Sequence, residues 1–279
     1  MIAQHSTLRG TVDANILQVT RLRKEFGGLV AVRDVSFGVR RGQVFAIIGP
    51  NGAGKTTLFN LISGVFPATA GEICYKGQTL NGLRPYQIAA LGVARTFQSV
   101  QVFGNLTVLE NIMVGRHLKS HYGLIDAAWR SPLVRREEKQ ARAAARERLD
   151  LVGLGSRADD MASALSFGQQ RVLEVARALA SDPELLLLDE PGAGLMRQEV
   201  EELDDLIRRL RRGGTTIMLV EHNMELVMGI ADCIAVIHYG QKIAEGTPQE
   251  VQNNPNVIQA YLGDEWELGM RRMGLLDNA

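Results

Sequence analysis

A glycine-rich segment, Gly49-Pro-Asn-Gly-Ala-Gly-Lys55-Thr56, constrains the fold of this chain more than any other part of the sequence. It follows a short, continuously apolar run that begins at Gln43, and it precedes a segment of helical character that ends near Gly64. An apolar run bounded by glycines is typical of a strand that is buried on both faces in a parallel sheet. Strand, glycine loop and helix in this order predict a βαβ unit and therefore an α/β fold.

The spacing of the segment, G-x-x-x-x-G-K-T, also predicts a phosphate-binding loop. Glycines let successive backbone N–H groups turn towards a polyphosphate, and the helix that follows adds the positive end of its dipole. In such a loop Lys55 bridges the β- and γ-phosphates, and the Thr56 hydroxyl coordinates Mg²⁺. The predicted phosphate-binding residues are Gly49, Asn51, Gly52, Gly54, Lys55, Thr56 and Thr57. Kinases, GTPases, helicases and transporter ATPases all use this loop, so a second signal must distinguish them.

Two adjacent carboxylates, Asp189 and Glu190, follow a second apolar run that begins at Glu184. Neighbouring side chains of a strand point to opposite sides, so the two carboxylates should have different partners. After a phosphate loop, this pattern predicts that Asp189 holds Mg²⁺, normally through water, and that Glu190 is the general base that polarises the attacking water. Taken alone, the same residues describe a solvated strand end before the turn at Pro191.

A third segment, Leu165–Gln170, has the sequence Leu-Ser-Phe-Gly-Gln-Gln and begins a predicted helix. Ser166 with Gln169 three residues later is a capping box, which is a purely structural feature. The same geometry presents free N–H groups, a hydroxyl and a glycine at a helix N-terminus, which together form an anion site. Both interpretations fit the residues.

Together these segments resemble the ATP-binding subunits of ABC transporters. The resemblance covers about residues 16–262 and includes Gln98 in Arg-Thr-Phe-Gln and His222 in Val-Glu-His, in that family's order. It implies ATP and Mg²⁺ as ligands and ATP hydrolysis as the activity. It also implies a head-to-tail pair of cassettes with two ATP molecules between them. The residues that would face the nucleotide of the opposite subunit are Ser166, Phe167, Gly168 and Gln169.

The resemblance assigns roles to three further side chains. Gln98 is expected to sense Mg²⁺ and the attacking water, and His222 to contact the γ-phosphate and orient Glu190. Phe26 fits the aromatic residue that stacks on adenine in this family, although a core position is the alternative. Two positions depart from the family pattern: Phe167 replaces the first signature glycine, and Met196 stands where many members have aspartate.

The fold class expected is α/β: a P-loop NTPase parallel-sheet core with an N-terminal antiparallel β subdomain and an inserted α-helical signature subdomain. Short strands are predicted at Ile16–Val19, Leu29–Val32 and Val35–Val39, a further buried strand at Thr216–Val220 and a helix from about Arg197 to Arg212, and Gly115–Pro132 should be irregular. Thr107 with Glu110 three residues later forms a second capping box. The predicted segments are a polar leader (1–15), the antiparallel and phosphate-loop part of the core (16–96), the helical subdomain (97–180), the remainder of the core (181–247) and a C-terminal helical tail (248–279).

Composition narrows the possible partners. In 279 residues, 31 Lys and Arg balance 31 Asp and Glu, so nothing indicates attraction to nucleic acid or to an anionic membrane. No apolar run approaches the roughly 18 residues that cross a bilayer. The two cysteines, Cys74 and Cys233, lie in strand-like segments and are expected to be reduced in a cytosolic protein.

Within the family, further segments look like the ATPases of branched-chain amino acid importers; they are Phe26–Val32, Arg95–Phe103, the insert before Arg135, Val220–Met228 and Glu245–Gly263. The implied partners are a second ABC ATPase subunit, the same or homologous, two integral membrane permease subunits, and a periplasmic or lipid-anchored solute-binding protein. The implied place is the cytoplasmic side of the bacterial plasma membrane. Val100, Val102 and Phe103 are expected either to contact the membrane partner or to pack internally.

Other transporters and other ATPases share parts of this pattern. Urea and amide importers share this pattern, and the lipopolysaccharide-exporting ATPase shares it more distantly. A non-transport ABC ATPase would need a long coiled coil or two tandem cassettes. A P-loop kinase or GTPase would need an acceptor pocket or a guanine-reading motif. The sequence shows none of these last features.

Overall fold

The computed structural model describes residues 15–116 and 132–261, with only the backbone described over 132–135. The chain divides into two compact units, the first made of Met1–Pro85 with Met218–Ala279 and the second of Tyr86–Ile217. Almost all of the predicted leader, most of the predicted irregular stretch and the end of the predicted tail lie outside the described residues. The boundaries of the five predicted segments remain predictions.

The described strands are β1 (Asn15–Phe26), β2 (Leu29–Arg40), β3 (Val44–Ile48), β4 (Ala70–Tyr75), β5 (Gln78–Thr79), β6 (Val93–Arg95), β7 (Leu185–Asp189), β8 (Thr216–Val220), β9 (Cys233–His238) and β10 (Gln241–Gly246). The described helices are α1 (Lys55–Ile62), α2 (Pro85–Ala90), α3 (Val108–Gly115), α4 (Pro132–Leu151), α5 (Phe167–Leu179), α6 (Arg197–Arg212), α7 (Met224–Ile230) and α8 (Pro248–Gln252). Residues 255–261 are also helical. Within the described residues, no helix combines the length and the apolarity that a bilayer crossing requires.

The first unit contains an antiparallel sheet in the order β2-β1-β4-β5. The prediction of two separate strands between Leu29 and Val39 was wrong, because the structure has one continuous strand, β2, over both. The polar pair that separates them in the sequence is accommodated by a break in the β1–β2 register, and Asp34 has a left-handed φ of 54°. A bulge of this kind absorbs an extra residue without ending the strand.

The parallel strands behave as the sequence predicted. In the first unit β10, β9 and β3 are neighbours in that order, and β3 runs parallel to β9. In the second unit β6 runs parallel to β7, with Val93 opposite Leu185. Every residue of β3, β7 and β8 is buried, which explains why their sequences are continuously apolar instead of alternating.

The second unit has a helical core in which α3, α4 and α5 share one apolar cluster. Ile112, Leu149 and Leu173 of this cluster are completely buried. The predicted capping box before α3 is confirmed, because the Glu110 N–H donates to Thr107 Oγ1 and the Thr107 N–H donates to the Glu110 carboxylate. The helix predicted over Arg197–Arg212 is confirmed with the same bounds.

A single buried amide closes the loop that leads into α3. Asn111 is fully buried, and its Oδ1 accepts the Phe103 N–H at 2.9 Å. Its Nδ2 donates to the carbonyl oxygens of Phe103 at 3.1 Å and Thr107 at 3.0 Å. Asn111 therefore stabilises the backbone of this loop.

We expect Asn111→Ala to lower the free energy of unfolding by about 1–3 kcal/mol, because it leaves buried backbone groups without partners. Urea denaturation followed by circular dichroism measures the change. Asn253 also donates a side-chain hydrogen bond to a carbonyl, at 2.8 Å, but on an exposed site, so Asn253→Ala is the matched control. Equal losses in the two variants would contradict the special role of Asn111.

Candidate functional site

The predicted phosphate loop connects β3 to α1 in the first unit. α1 begins at Lys55, and Gly54 before it has a φ of 105°. The Lys55 side chain is buried, and its Nζ donates to the carbonyl oxygens of Gly49 at 2.7 Å and Pro50 at 2.9 Å. The ammonium group is therefore held inside the loop at a helix N-terminus, where the positive dipole end and the cation both attract anions.

Two glycines of this loop are required by close backbone packing as well as by positive φ. A Cβ at Gly49 would lie 2.0 Å from the Ile237 carbonyl oxygen, and a Cβ at Gly54 would lie 2.5 Å from the Ala31 carbonyl oxygen. The Gly240 N–H also donates to the Ala53 carbonyl at 2.9 Å. Neighbouring backbone of the same unit thus fixes the shape of the loop.

Two other predicted residues lie in the first unit. Phe26 is 40% exposed, with Phe66 edge-on at 5.3 Å and Lys24 Nζ 4.8 Å from its ring centroid. A fully buried core role for Phe26 is therefore wrong, and stacking on adenine remains a prediction. His222 is exposed just after β8, and its backbone N–H donates to the buried carboxylate of Glu221 at 3.0 Å.

In the second unit, Asp189 is the last residue of β7 and is 1% exposed. Its Oδ2 accepts a hydrogen bond from Arg95 Nη2 at 2.8 Å, within a buried ion pair. Burial raises the pKa of the Asp189 carboxyl, and the Arg95 guanidinium opposes that rise. Asp189 Oδ1 is buried and accepts no hydrogen bond from any described residue. One oxygen of this carboxylate is therefore available to a ligand.

Glu190 turns out of the strand with a φ of 48° and is partly exposed. Its Oε2 accepts a hydrogen bond from Gln98 Nε2 at 3.0 Å. The expectation that the adjacent carboxylates have different partners is confirmed, since Asp189 meets Arg95 and Glu190 meets Gln98. The left-handed backbone of Glu190, and not strand alternation alone, separates them.

The capping box at the start of α5 is confirmed. The Ser166 N–H donates to Gln169 Oε1 at 3.1 Å, and the Gln169 N–H donates to Ser166 Oγ at 3.2 Å. A Cβ at Gly168 would lie 2.1 Å from a Glu199 carboxylate oxygen, so a larger residue there would require the flexible Glu199 side chain to move. The anion-binding role of this helix tip remains a prediction.

The two departures from the family pattern lie near this helix tip. A Cβ at Gly194 would lie 3.0 Å from the Phe167 ring, so the ring rests on the loop that follows Glu190. Met196 is 70% exposed and is the N-cap residue of α6, whose first-turn Glu199 accepts the Met196 N–H at 2.9 Å. Nothing in the structure explains methionine at this position.

Sequence reasoning missed Arg95, Arg171, Glu174 and Glu199 as neighbours of the predicted site residues. Arg171 and Glu174 are both buried, and burial raises the pKa of the Glu174 carboxyl. Their spacing of three positions in a predicted helix was a readable signal for a pair. The backbone groups that they contact on another segment of the unit could not be predicted from the sequence.

Comparison with known proteins identifies the family. Residues 32–193 match the ABC transporter family, and residues 241–267 match the family described as branched-chain amino acid ATP-binding cassette transporter. The chain belongs to the ABC transporter family. It is 47% identical over 250 residues to the high-affinity branched-chain amino acid transport ATP-binding protein LivG of Salmonella typhimurium, which covers 89% of this chain and 98% of the relative.

Solved structures confirm the predicted fold class. An ATP-binding cassette of an ABC transporter in its ADP conformation superposes with a TM-score of 0.79 at 31% identity, over 89% of this chain and 99% of that one. A dimeric cassette in a post-hydrolysis state, bound to ADP and inorganic phosphate, gives a TM-score of 0.70 at 25% identity, over 83% and 98% of the two chains. The ABC cassette suggested by the sequence motifs is therefore confirmed.

We expect Gly49→Ala to destabilise the protein more than Gly52→Ala. Gly52 has a φ of 77° and open space around it, so alanine there costs only the left-handed strain of about 1–2 kcal/mol. Alanine at Gly49 adds a clash with backbone, worth a further 1–3 kcal/mol or so. Chemical denaturation of both variants without nucleotide measures the difference. Equal stability of the two would contradict the packing argument.

Proposed function

We propose that this chain is the ATP-hydrolysing subunit of an ABC importer for branched-chain or other amino acids. The observation that carries the proposal is the 47% identity to LivG over nearly the whole of both chains. The match of residues 241–267 to the branched-chain amino acid cassette family favours the same substrate class. No comparable observation favours a urea or amide importer or a lipopolysaccharide exporter, which remain the alternatives.

The first unit is proposed to bind the nucleotide. Lys55 would bind the β- and γ-phosphates, because its ammonium already lies inside the loop among backbone carbonyls that a phosphate can replace. The backbone N–H groups of the loop would bind the remaining phosphate oxygens, and its shape is set beforehand by Gly49 and Gly54. Phe26 would stack on adenine with its exposed ring, and His222 would contact the γ-phosphate.

The second unit is proposed to activate water. Glu190 would accept the proton of the attacking water, and Gln98 would orient that water through its hydrogen bond to the same carboxylate. Ser166, Phe167, Gly168 and Gln169 would face the nucleotide of a second cassette. Their N–H groups are at a helix N-terminus, which favours negative charge.

The residues present fit Mg²⁺, which prefers oxygen ligands and retains several waters. In the second unit, Asp189 Oδ1 is buried without a hydrogen bond from the described residues, and Gln98 has an amide oxygen. The Thr56 hydroxyl is the further ligand that the phosphate-loop motif predicts. When bound, Mg²⁺ would neutralise charge on the phosphates.

The partners proposed are a second ABC ATPase subunit, two integral membrane permease subunits and a periplasmic or lipid-anchored solute-binding protein, with no nucleic acid. The chain would work at the cytoplasmic face of the bacterial plasma membrane. The balanced charge indicates no general attraction to an anionic membrane, and the permease subunits would hold the chain there. Phe103, which is 46% exposed, would contribute to that contact.

We expect Glu190→Gln to reduce ATP turnover about 10²- to 10⁴-fold, because the variant has no base to accept the proton. ATP-dependent association, measured by light scattering, should be retained because the amide keeps the size and the hydrogen-bonding capacity of the side chain. Glu201 is an exposed glutamate on α6, so Glu201→Gln is the control and should hydrolyse ATP at the normal rate. Near-normal turnover by Glu190→Gln would exclude Glu190 as the base.

The head-to-tail arrangement predicts complementation between two inactive variants. Lys55→Ala removes the phosphate-binding cation, and Ser166→Arg blocks the helix tip, so each variant alone should lack activity. A mixed dimer retains one site with both native residues. An equimolar mixture should therefore recover up to about a quarter of the normal ATPase rate, since half of the dimers are mixed and each has one intact site. A mixture no more active than its components would contradict the arrangement.

A further inference from the structure

Three charged residues on one face of α5 contact the segment Phe97–Phe103, which contains Gln98. Arg171, Glu174 and Arg177 are spaced by three positions, so their side chains lie one above another along the helix. This face contacts the loop through its backbone and through one ring, and the contacts occur in the same order along both segments.

Arg171 and Glu174 bind the backbone on both sides of the Gln98 side chain. Arg171 Nη1 donates to the Phe97 carbonyl at 3.0 Å, and Arg171 Nη2 donates to the Gln98 carbonyl. Glu174 Oε1 accepts the Gln101 N–H at 2.8 Å. The cation therefore binds carbonyl oxygens, the carboxylate binds an N–H group, and the backbone on either side of Gln98 is fixed.

Both side chains are almost completely shielded from water, with 8% of Arg171 and 2% of Glu174 exposed. They also face each other, with Arg171 Nη1 3.5 Å from Glu174 Oε2. Removing two charges from water is costly, and a buried ion pair is often no more stabilising than an apolar pair of similar volume. A contribution to stability therefore does not explain why these two charges are buried. Their hydrogen bonds to the backbone of one short loop suggest that they hold that loop in place.

We propose that Arg171 and Glu174 are positioning residues that fix the Phe97–Gln101 backbone so that the Gln98 carboxamide reaches Glu190. The proposal deepens the proposed function, because it rests on Glu190 acting as the base. Arg171 donates a hydrogen bond to the Gln98 backbone carbonyl, and Nε2 of the Gln98 side chain lies 3.0 Å from Glu190 Oε2. Loss of the backbone anchors would leave Gln98 free to move away from that carboxylate.

The same helix face extends the link to Phe103. The Arg177 guanidinium carbon lies 5.4 Å from the Phe103 ring centroid, and Arg177 Nη2 lies 3.9 Å from Glu174 Oε1. Phe103 also exchanges hydrogen bonds with the buried amide of Asn111. The loop is therefore attached to α5 along its length, and a displacement at Phe103 is expected to move the loop and α5, including the Ser166 tip, together.

The test uses the double variant Arg171→Met/Glu174→Leu in the full chain. Replacing both charges together avoids leaving either Arg171 or Glu174 buried alone, but Arg177, whose side chain is 18% exposed, loses its Glu174 neighbour, so the protein should fold with a lowered thermal midpoint. The variant loses all three backbone anchors. We expect kcat for ATP to fall at least about 10-fold while KM changes less than about 3-fold, since the loop is misplaced and the nucleotide site is not. Arg171→Lys, which keeps the charge without the two-pronged geometry, should give an intermediate kcat.

Hydrogen–deuterium exchange of the peptide that contains Phe97–Phe103 supplies a readout independent of ATP hydrolysis. The Gln101 amide loses its acceptor in the double variant, so its exchange should become at least about 10-fold faster without nucleotide. Arg142 forms an exposed ion pair with Glu138 on α4, so Arg142→Met/Glu138→Leu is the matched control and should change neither readout.

The outcomes separate this inference from the proposed function. A wild-type chain that hydrolyses no ATP with its partners present would overturn the proposed function, and the exchange result would still report on the anchors. A folded double variant with normal kcat and normal exchange would overturn the positioning role. Faster exchange with normal kcat would show that the anchors hold the loop without serving Gln98, which also overturns the proposal.

Discussion

The complete burial of the parallel strands is the constraint on which the rest of the structure depends. β3, β7 and β8 have no exposed residue, so polar chemistry is excluded along their length and is possible only where the chain leaves them. Polar groups accordingly follow the carboxyl ends of these strands: the phosphate loop after β3, Asp189 and Glu190 at β7, and His222 after β8.

Buried charges then organise the second unit. Arg95 pairs with Asp189, and Arg171 pairs with Glu174, each pair with both side chains at most 8% exposed. Each charge in such a setting needs a partner of opposite sign or several hydrogen bonds, because water is not available to solvate it. Asp189 differs in keeping one oxygen free of the described donors, which suits a group that must still accept a cation.

The unusual residues at the family's shared positions have different structural consequences. Phe167 is tolerated where the family has glycine because its ring lies across Gly194, and Arg171 lies 5.6 Å from that ring as a cation–π neighbour. The aromatic side chain therefore links the tip of α5 to the loop after Glu190 in the same unit. Met196 has no comparable explanation. Its side chain is exposed, and the Glu199 carboxylate accepts a hydrogen bond from its backbone N–H, which does not depend on the methionine side chain.

The sequence by itself determined the elements with strong local signals. The buried strands, the helix over Arg197–Arg212, the capping boxes and the phosphate loop follow from periodicity and from residue-specific backbone chemistry, which act over a few positions. It did not determine that Arg33 and Asp34 form a bulge within β2, because pairing with β1 overrides a local turn signal. Nor did it determine that Arg95 meets Asp189, or that Arg171 and Glu174 hold the Gln98 loop. Only the tertiary structure decided these contacts, because the energy of a buried charge depends on which distant residues pack around it.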